Sequence, residues 1–165
     1  LVEKGMGFHK ASKQVDFETN GRTAGCNPAH RAAPLATLDL NEKELIDIVI
    51  QEAKLTHWHP LAADVSVATV LLCRKLYHGE DWHESIASVR KGRLVETQRA
   101  LESHHIDDLR GDGFAPSVLA AAMYFLMNSD NLDEAIKKSI DFAGPANYCP
   151  VLVGAIGSAR WNNHA

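Results

Sequence analysis

The chain has 165 residues, of which 45% are hydrophobic and 23% are charged, and its formal net charge is -4. This length and composition suffice for one globular domain with an apolar core, and they exclude a mainly disordered chain. Lysine and arginine are not in excess, so the sequence has neither the basic footprint of a nucleic-acid-binding protein nor a polybasic membrane anchor. We therefore expect no nucleic-acid partner and no membrane partner.

The cysteines and the hydropathy of the sequence indicate the cellular compartment in which the protein is found. Cys26, Cys73 and Cys149 are an odd number at wide spacings, which fits neither a disulfide framework nor a zinc site. The longest apolar run, 118–127, is about half of the roughly 20 residues that a membrane-spanning helix needs. No charged-then-apolar targeting segment opens the chain. These features favour a soluble protein in a reducing compartment, and we predict a cytoplasmic location.

The first predicted elements precede residue 77. Residues 1–24 show no sustained hydrophobic period and are predicted to be an irregular segment, and the start at Leu1 indicates a piece of a longer protein. Apolar residues at helical spacing predict a helix from about residue 42 to 54, with Asn41 and Glu44 as a reciprocal cap. After Pro60, a denser apolar pattern predicts a central helix from Leu61 to Leu76.

The later elements are also helical. The more polar stretch 83–101 predicts a peripheral, interrupted helix whose buried residues are Ile86, Val89, Leu94 and Leu101. The stretch from Val118 to Leu126 is hydrophobic all round, which is typical of a core helix.

The last two helices have clear boundaries. Asn131 and Glu134 repeat the capping pattern before a helix that Gly144-Pro145 ends. A final helix opens at Pro150 and runs to about Trp161. No segment alternates as a strand does, so the predicted fold class is all-α, a compact helical bundle.

Three loop segments, 25–31, 56–60 and 144–150, place polar residues directly before an apolar helix. The last segment has two interpretations. The N–H groups of a helix start, with Asn147 nearby, form an anion site, or the same residues form a capped turn.

The other two segments contain histidines and an arginine. His57 and His59 are two residues apart and cannot share one helical face, which disfavours a zinc pair. His57 is either a ligand contact or a buried histidine bonded to the backbone. Trp58 can stack on a flat ligand, and Arg31 can bind phosphate or carboxylate in a bidentate manner unless it is an ordinary surface arginine.

Taken together and in order, these segments resemble the ADP-ribosylglycohydrolases. The matching stretches are Arg31-Ala32-Ala33-Pro34-Leu35, Thr56-His57-Trp58-His59-Pro60, Gly113-Phe114-Ala115-Pro116-Ser117-Val118-Leu119-Ala120-Ala121-Ala122 and Gly154-Ala155-Ile156-Gly157-Ser158-Ala159-Arg160. The resemblance implies an all-α fold of which residues 25–165 form the C-terminal portion. It also implies hydrolysis of bonds to ADP-ribose with a pair of Mg ions, and an ADP-ribose-like small molecule or an ADP-ribosylated protein as partner.

The sequence departs from that family at the metal motif. Where the family has Gly-Gly-Asp-x-Asp-Thr, this chain has Ala143-Gly144-Pro145-Ala146-Asn147-Tyr148, without either carboxylate. Mg prefers hard oxygen ligands and usually takes carboxylates. We therefore predict a degenerate Mg site, with no metal ligand and no cofactor in this chain. The changes resemble the branch of the J-type crystallins and selenoprotein J.

Two hypotheses about function follow. The first is a hydrolase of ADP-ribosyl or similar nucleotide conjugates, and the second is a non-catalytic, crystallin-like structural or ligand-binding relative. No catalytic residue is assigned, because no nucleophile motif is present and Cys149 has no evident base. The residues predicted to contact a ligand are Asn27, His30, Arg31, His57, Asn147, Tyr148 and Cys149.

Overall fold

The computed structural model describes residues 5–103 and 105–161. In these residues it contains nine α-helices, which are α1 (Phe8–Glu18), α2 (Asn27–Ala32), α3 (Glu42–Ala53), α4 (Pro60–Tyr77), α5 (Trp82–Arg90), α6 (Val95–Leu101), α7 (Ala115–Met127), α8 (Leu132–Phe142) and α9 (Cys149–Arg160). Two short 3-10 turns, Ala33–Thr37 and Ile106–Asp108, accompany them. Across the described ranges there is no β-strand, and an isolated bridge joins Gly25 to Phe114. The predicted all-α fold is confirmed.

Helix α4 lies at the centre of the bundle and packs against α2, α3, α5, α7 and α9. A helix that is apolar on several sides needs neighbours on several sides, and most residues of α4 are buried. Two hydroxyl groups are buried in this helix, and both have hydrogen-bond partners. Ser66 and Thr69 donate to backbone carbonyls one turn earlier, at 2.8 and 2.9 Å. Helix α7 is buried nearly throughout, as predicted for a core helix, and it contacts α4.

Side chains cap the starts of α3 and α8, the two helices for which sequence analysis predicted a cap. The predicted capping box is present at α3, where the Asn41 side chain accepts from the Glu44 N–H and the Glu44 carboxylate accepts from the Asn41 N–H. At α8, Asn131 accepts from the Glu134 N–H, but the Glu134 carboxylate accepts from the N–H of Asp130 instead of completing a reciprocal box.

The prediction of an irregular segment over 1–24 is wrong for the residues that form α1; the first four residues lie outside the described range. The apolar period is missing because α1 buries the small residues Ala11 and Ser12, while Phe17 is 80% exposed. Polar contacts attach this helix instead. The Ser12 hydroxyl donates to the carbonyl of Lys54, at the end of α3.

The stretch 83–101 is interrupted as predicted, and α5 and α6 are joined by a turn at Gly92, whose φ is +76°. Leu94, however, is 41% exposed and not buried. It precedes the first residue of α6, and its N–H donates to the carboxylate of Asp64 at 2.9 Å. This polar attachment places the Leu94 backbone, not its side chain, against α4.

None of the helices within the described ranges has the length and apolar character needed to cross a membrane.

Candidate functional site

The loops that precede α2 and α7 run side by side at one end of the molecule. The N–H of Cys26 donates to the carbonyl of Gly113 at 3.2 Å, and the N–H of Ala115 donates to the carbonyl of Ala24 at 2.8 Å. The loops before α4 and α9 join the same region. We call it the loop end and define it as residues 21–27, 56–59, 110–114 and 144–148.

The loop before α4 packs on the first of these loops. The Nε2 atom of His57 lies 2.9 Å from the position that a Cβ atom on Gly25 would occupy. Two residues later, the N–H of His59 donates to the hydroxyl of Thr23 at 3.2 Å. The absence of a side chain at Gly25 is therefore what lets the imidazole ring approach.

The loop before α9 is attached through Asn147. Its amide nitrogen donates to the carbonyls of Arg110 and Asp112 at 2.9 and 3.2 Å, and its amide oxygen accepts from the N–H of Cys149 at 3.0 Å. The three predicted segments thus meet, together with a fourth loop, 110–114, that sequence analysis did not single out.

Two adjoining depressions open at the loop end. The larger has a volume of about 530 Å³ and the smaller about 210 Å³, and both are bordered by Gly25 and Gly113. The other residues around the larger one are Gly21, Arg22, Ala24, His59, Leu61 and Phe114. Those around the smaller one are Cys26, Asn27, His30, Val118, Ala146 and Tyr148.

Two predicted ligand residues, Asn147 and Cys149, do not face either depression. Asn147 is completely buried, and its amide is used in the three hydrogen bonds given above. Cys149 is also completely buried, its thiol lies 3.8 Å from the carbonyl oxygen of Ser139, and burial raises its pKa to about 12. Asn147 therefore holds the loop and Cys149 is part of the core.

The start of α9 is a capped turn and not an open anion site. The Cys149 N–H is bound by Asn147, Pro150 has no N–H, and the Val151 N–H donates to the carbonyl of Tyr148 at 3.1 Å. The start of α4 is closed in the same way, because the Nδ1 atom of His59 accepts from the N–H of Leu61 at 3.1 Å.

Proline recurs in the first turn of every helix that begins at the loop end. These residues are Pro28 in α2, Pro60 in α4, Pro116 in α7 and Pro150 in α9. Each removes one backbone donor from a helix start. Side chains, more than backbone N–H groups, must therefore provide the polar contacts for any ligand here.

Arg31 anchors the loops instead of lining a depression. Its guanidinium forms an ion pair with Glu52 of α3, and its Nη2 atom donates to the hydroxyl of Thr56 at 2.8 Å. The same hydroxyl lies 2.9 Å from Nδ1 of His57. Arg31 thus orients His57 through Thr56.

His57 is a partly buried histidine bonded to protein groups. Its pKa is lowered, mainly by burial and also by the charge of Arg31, while the carboxylate of Glu52 opposes this shift. The lowered pKa favours the neutral form of the ring. His57 borders neither depression, and its Nδ1 atom is bonded to the Thr56 hydroxyl and not to the backbone.

Three predicted residues, Asn27, His30 and Tyr148, do line the smaller depression. The Nε2 atom of His30 is shielded from solvent and has no hydrogen-bond partner within the described residues, and burial lowers the pKa of this ring. The rings of His30 and Tyr148 meet edge to face, with centroids 6.2 Å apart. Tyr148 is 54% exposed, and its hydroxyl donates to the carbonyl of Pro145.

Sequence analysis missed Arg22, which borders the larger depression. It is exposed, and it forms no ion pair with any residue that the structure describes. Asn20 and Gly21, just before it, have φ of +53° and +76° and turn the chain into the loop end. The Asn-Gly dipeptide is a strong turn signal and was available in the sequence.

The residues at the position of the family's metal motif do not fit a Mg pair. Pro145 has no side-chain ligand, and both amide atoms of Asn147 are engaged. The nearby carboxylate of Asp112 is occupied by the Nε of Arg110 at 3.1 Å and the N–H of Phe114 at 3.2 Å. Among the described residues, no three His, Cys, Asp or Glu side chains are grouped as a metal site.

This fold and sequence have known relatives. A solved structure of an ADP-ribosylglycohydrolase-related protein complex matches with a TM-score of 0.72 and 22% sequence identity, which shows a shared fold. The match covers 83% of this chain and 50% of the other, so this chain spans about half the length of that relative. None of the curated proteins is significantly similar in sequence. The ADP-ribosylglycohydrolase family matches over residues 3–164, nearly the whole sequence, and the chain therefore belongs to that family.

Proposed function

We propose that the loop end binds the ADP-ribosyl part of an ADP-ribosylated protein or of a related nucleotide conjugate. The observation that carries the proposal is the pair of depressions that meet at Gly25 and Gly113, with Arg22 beside one and His30 beside the other. An elongated ligand with a charged centre and polar ends suits two joined depressions better than one round cavity. Membership of the ADP-ribosylglycohydrolase family supports this class of ligand.

Different side chains at the two depressions suit different parts of an ADP-ribosyl group. The guanidinium of Arg22 is suited to the diphosphate, because arginine binds phosphate through paired, charge-assisted hydrogen bonds. Phe114 and Tyr148 offer aromatic surfaces for a base. The unpartnered Nε2 of His30 is shielded from solvent, but once the ring turns toward the smaller depression it can exchange a hydrogen bond with a ribose hydroxyl, since a neutral imidazole nitrogen either donates or accepts.

We further propose that these 165 residues bind the ligand without Mg-dependent hydrolysis. The support is the engagement of Asn147 and Asp112 in protein contacts, where a metal site would need free oxygen ligands. This corresponds to the non-catalytic relative of the J-type crystallin and selenoprotein J branch. A cytoplasmic location remains part of the proposal, because Cys26, Cys73 and Cys149 are buried free thiols.

Titration calorimetry with ADP-ribose tests the binding site. Arg22→Ala is expected to weaken binding by about tenfold or more, as loss of a charge-assisted contact implies. Lys137→Ala, which removes the same charge from the exposed side of α8, is the matched control and should bind as the parent chain does. Unchanged affinity in Arg22→Ala, or an equal loss in both variants, would contradict the assignment.

A separate assay tests the absence of hydrolysis. Release of ADP-ribose from an ADP-ribosylated peptide is measured with and without Mg, together with calorimetric titration of Mg alone. We expect no turnover and no Mg binding by this chain. Robust Mg-dependent release would overturn the non-catalytic interpretation while leaving the binding site intact.

A further inference from the structure

A depression of about 530 Å³ lies away from the loop end, between α5, α6 and the end of α7. Its apolar lining includes Ile86, Leu101 and Met127, of which Leu101 is completely buried. None of the residues that border it belongs to the loop end. Its volume falls within the range of roughly 300–1,000 Å³ that is usual for small-molecule sites.

The rim of this depression carries more positive than negative charge. Arg90 and Lys91 stand against a single carboxylate, Glu102, whose Oε1 atom lies 2.9 Å from Nη1 of Arg90. Lys91 is exposed and takes part in no ion pair within the described part of the chain. An anion is therefore favoured at this rim over a cation.

The guanidinium of Arg90 is also incompletely satisfied. Its Nε atom is shielded from solvent and has no acceptor among the described residues. Shielded N–H groups normally have partners, and because Arg90 borders the depression, a ligand there can supply the missing acceptor once the side chain turns its Nε toward it.

We propose that this depression binds a small-molecule carboxylate with an apolar body, of the size of a medium-chain fatty acid. The carboxylate accepts from Nε of Arg90 and lies near the ammonium of Lys91, and the apolar body covers Ile86, Leu101 and Met127. The proposal is independent of nucleotide binding at the loop end, because the two regions share no residue.

Methionine methyl NMR with octanoate as the probe tests this site directly. The chain has three methionines, and of these Met127 borders the depression whereas Met6 and Met123 do not. Octanoate should shift the Met127 methyl signal in a saturable manner and leave the Met6 signal in place. Acetate lacks the apolar body and octylamine carries the opposite charge, so both should bind far more weakly. An unmoved Met127 signal, or equal affinity for octylamine, would overturn the proposal.

Variants at the rim distinguish the roles of charge and shape. Arg90→Lys keeps the charge but loses Nε, and it should weaken octanoate binding by about tenfold. Glu102→Gln removes the competing carboxylate and should tighten binding. Ala87→Phe fills the depression from its exposed edge and should abolish the Met127 shift, with thermal unfolding as the check on folding. Parent-like binding by both Arg90→Lys and Ala87→Phe would overturn the site.

Discussion

The imidazole of His57 lies directly against the backbone of Gly25, with Nε2 2.9 Å and Cδ2 3.2 Å from the place that a Cβ atom would take. The φ of Gly25 is not positive, so glycine is needed here for space and not for backbone conformation. His57 is in turn held by Thr56 and Arg31. This contact therefore holds the loop before α4 against the residues that lead into α2.

Gly25→Ala should destabilise the fold by about 1–3 kcal/mol, because the added methyl group displaces a ring that its neighbours hold in place. Chemical denaturation measures this cost. Gly111→Ala is the control, since a Cβ atom there meets nothing within 4 Å. In a His57→Ala background the cost of Gly25→Ala should shrink, and an undiminished cost would contradict the steric explanation.

Asn147→Asp should destabilise the protein by about 3 kcal/mol or more, since a carboxylate would replace an amide that donates to two carbonyls in a buried site. Thermal and chemical unfolding provide the measurement. Asn27→Asp makes the same change at an exposed position of the loop end and should cost little. If the two variants were equally stable, Asn147 would not be holding the loops together.

Stability should fall as the solution is acidified below neutral pH. The pKa values of His30 and His57 are lowered in the folded chain, mainly by burial, so the unfolded chain binds more protons as pH drops through about 6.5. The stabilisation is complete above that pH and is lost as pH falls toward the folded-state pKa values. The double variant His30→Gln with His57→Gln should show a shallower decline in unfolding free energy between pH 7 and pH 5. An unchanged slope would exclude these two rings as its source.

Arg160→Lys should cost about 1–2 kcal/mol although it preserves the charge. The Arg160 guanidinium lies over the rings of both Trp82 and Trp161, 4.2 and 4.6 Å from their centroids, and it donates to the carbonyl of Leu126. An ammonium group cannot stack on both rings at once. Arg99→Lys, on an exposed part of α6, serves as the control in the same denaturation experiment. Equal stability of the two variants would argue against the stacking contribution.

Leu72→Ala should cost about 2–5 kcal/mol because Leu72 is completely buried in α4. Leu38→Ala, at a position that is 38% exposed, should cost much less. Urea denaturation of both variants checks the difference, and a cost below about 0.5 kcal/mol at Leu72 would place it outside the core.

The helices with dense apolar faces, such as α4 and α7, could be predicted from the sequence because periodicity reports burial directly. Helix α1 could not, since hydrogen bonds such as that from Ser12 to the Lys54 carbonyl attach it to the bundle. Leu94 shows the converse case. An apolar residue at helical spacing stays exposed because its backbone, and not its side chain, makes the tertiary contact.

Three of the four loops that form the site could be predicted from the sequence, but the role of each residue in them could not. The side-chain amide of an asparagine that precedes a helix, as at Asn147, can bind a ligand or cap the helix through the same atoms. Only the three-dimensional contacts distinguish these two roles. Arg31 was ambiguous for the same reason until Glu52 and Thr56 were found beside it. Arg22 follows the turn signal of Asn20-Gly21 but belongs to no motif of the site, and only the structure shows that it borders a depression.

The four prolines at the helix starts of the loop end bear on the entropy of ligand binding. Each proline fixes its φ at about -65° and reduces the freedom that the chain loses on folding. The helix starts around the two depressions therefore have less backbone freedom to lose when a ligand binds, which lowers the entropic cost of association. We expect free and bound forms to share one backbone trace, with the response to a ligand confined to rotamers of side chains such as Arg22 and Tyr148.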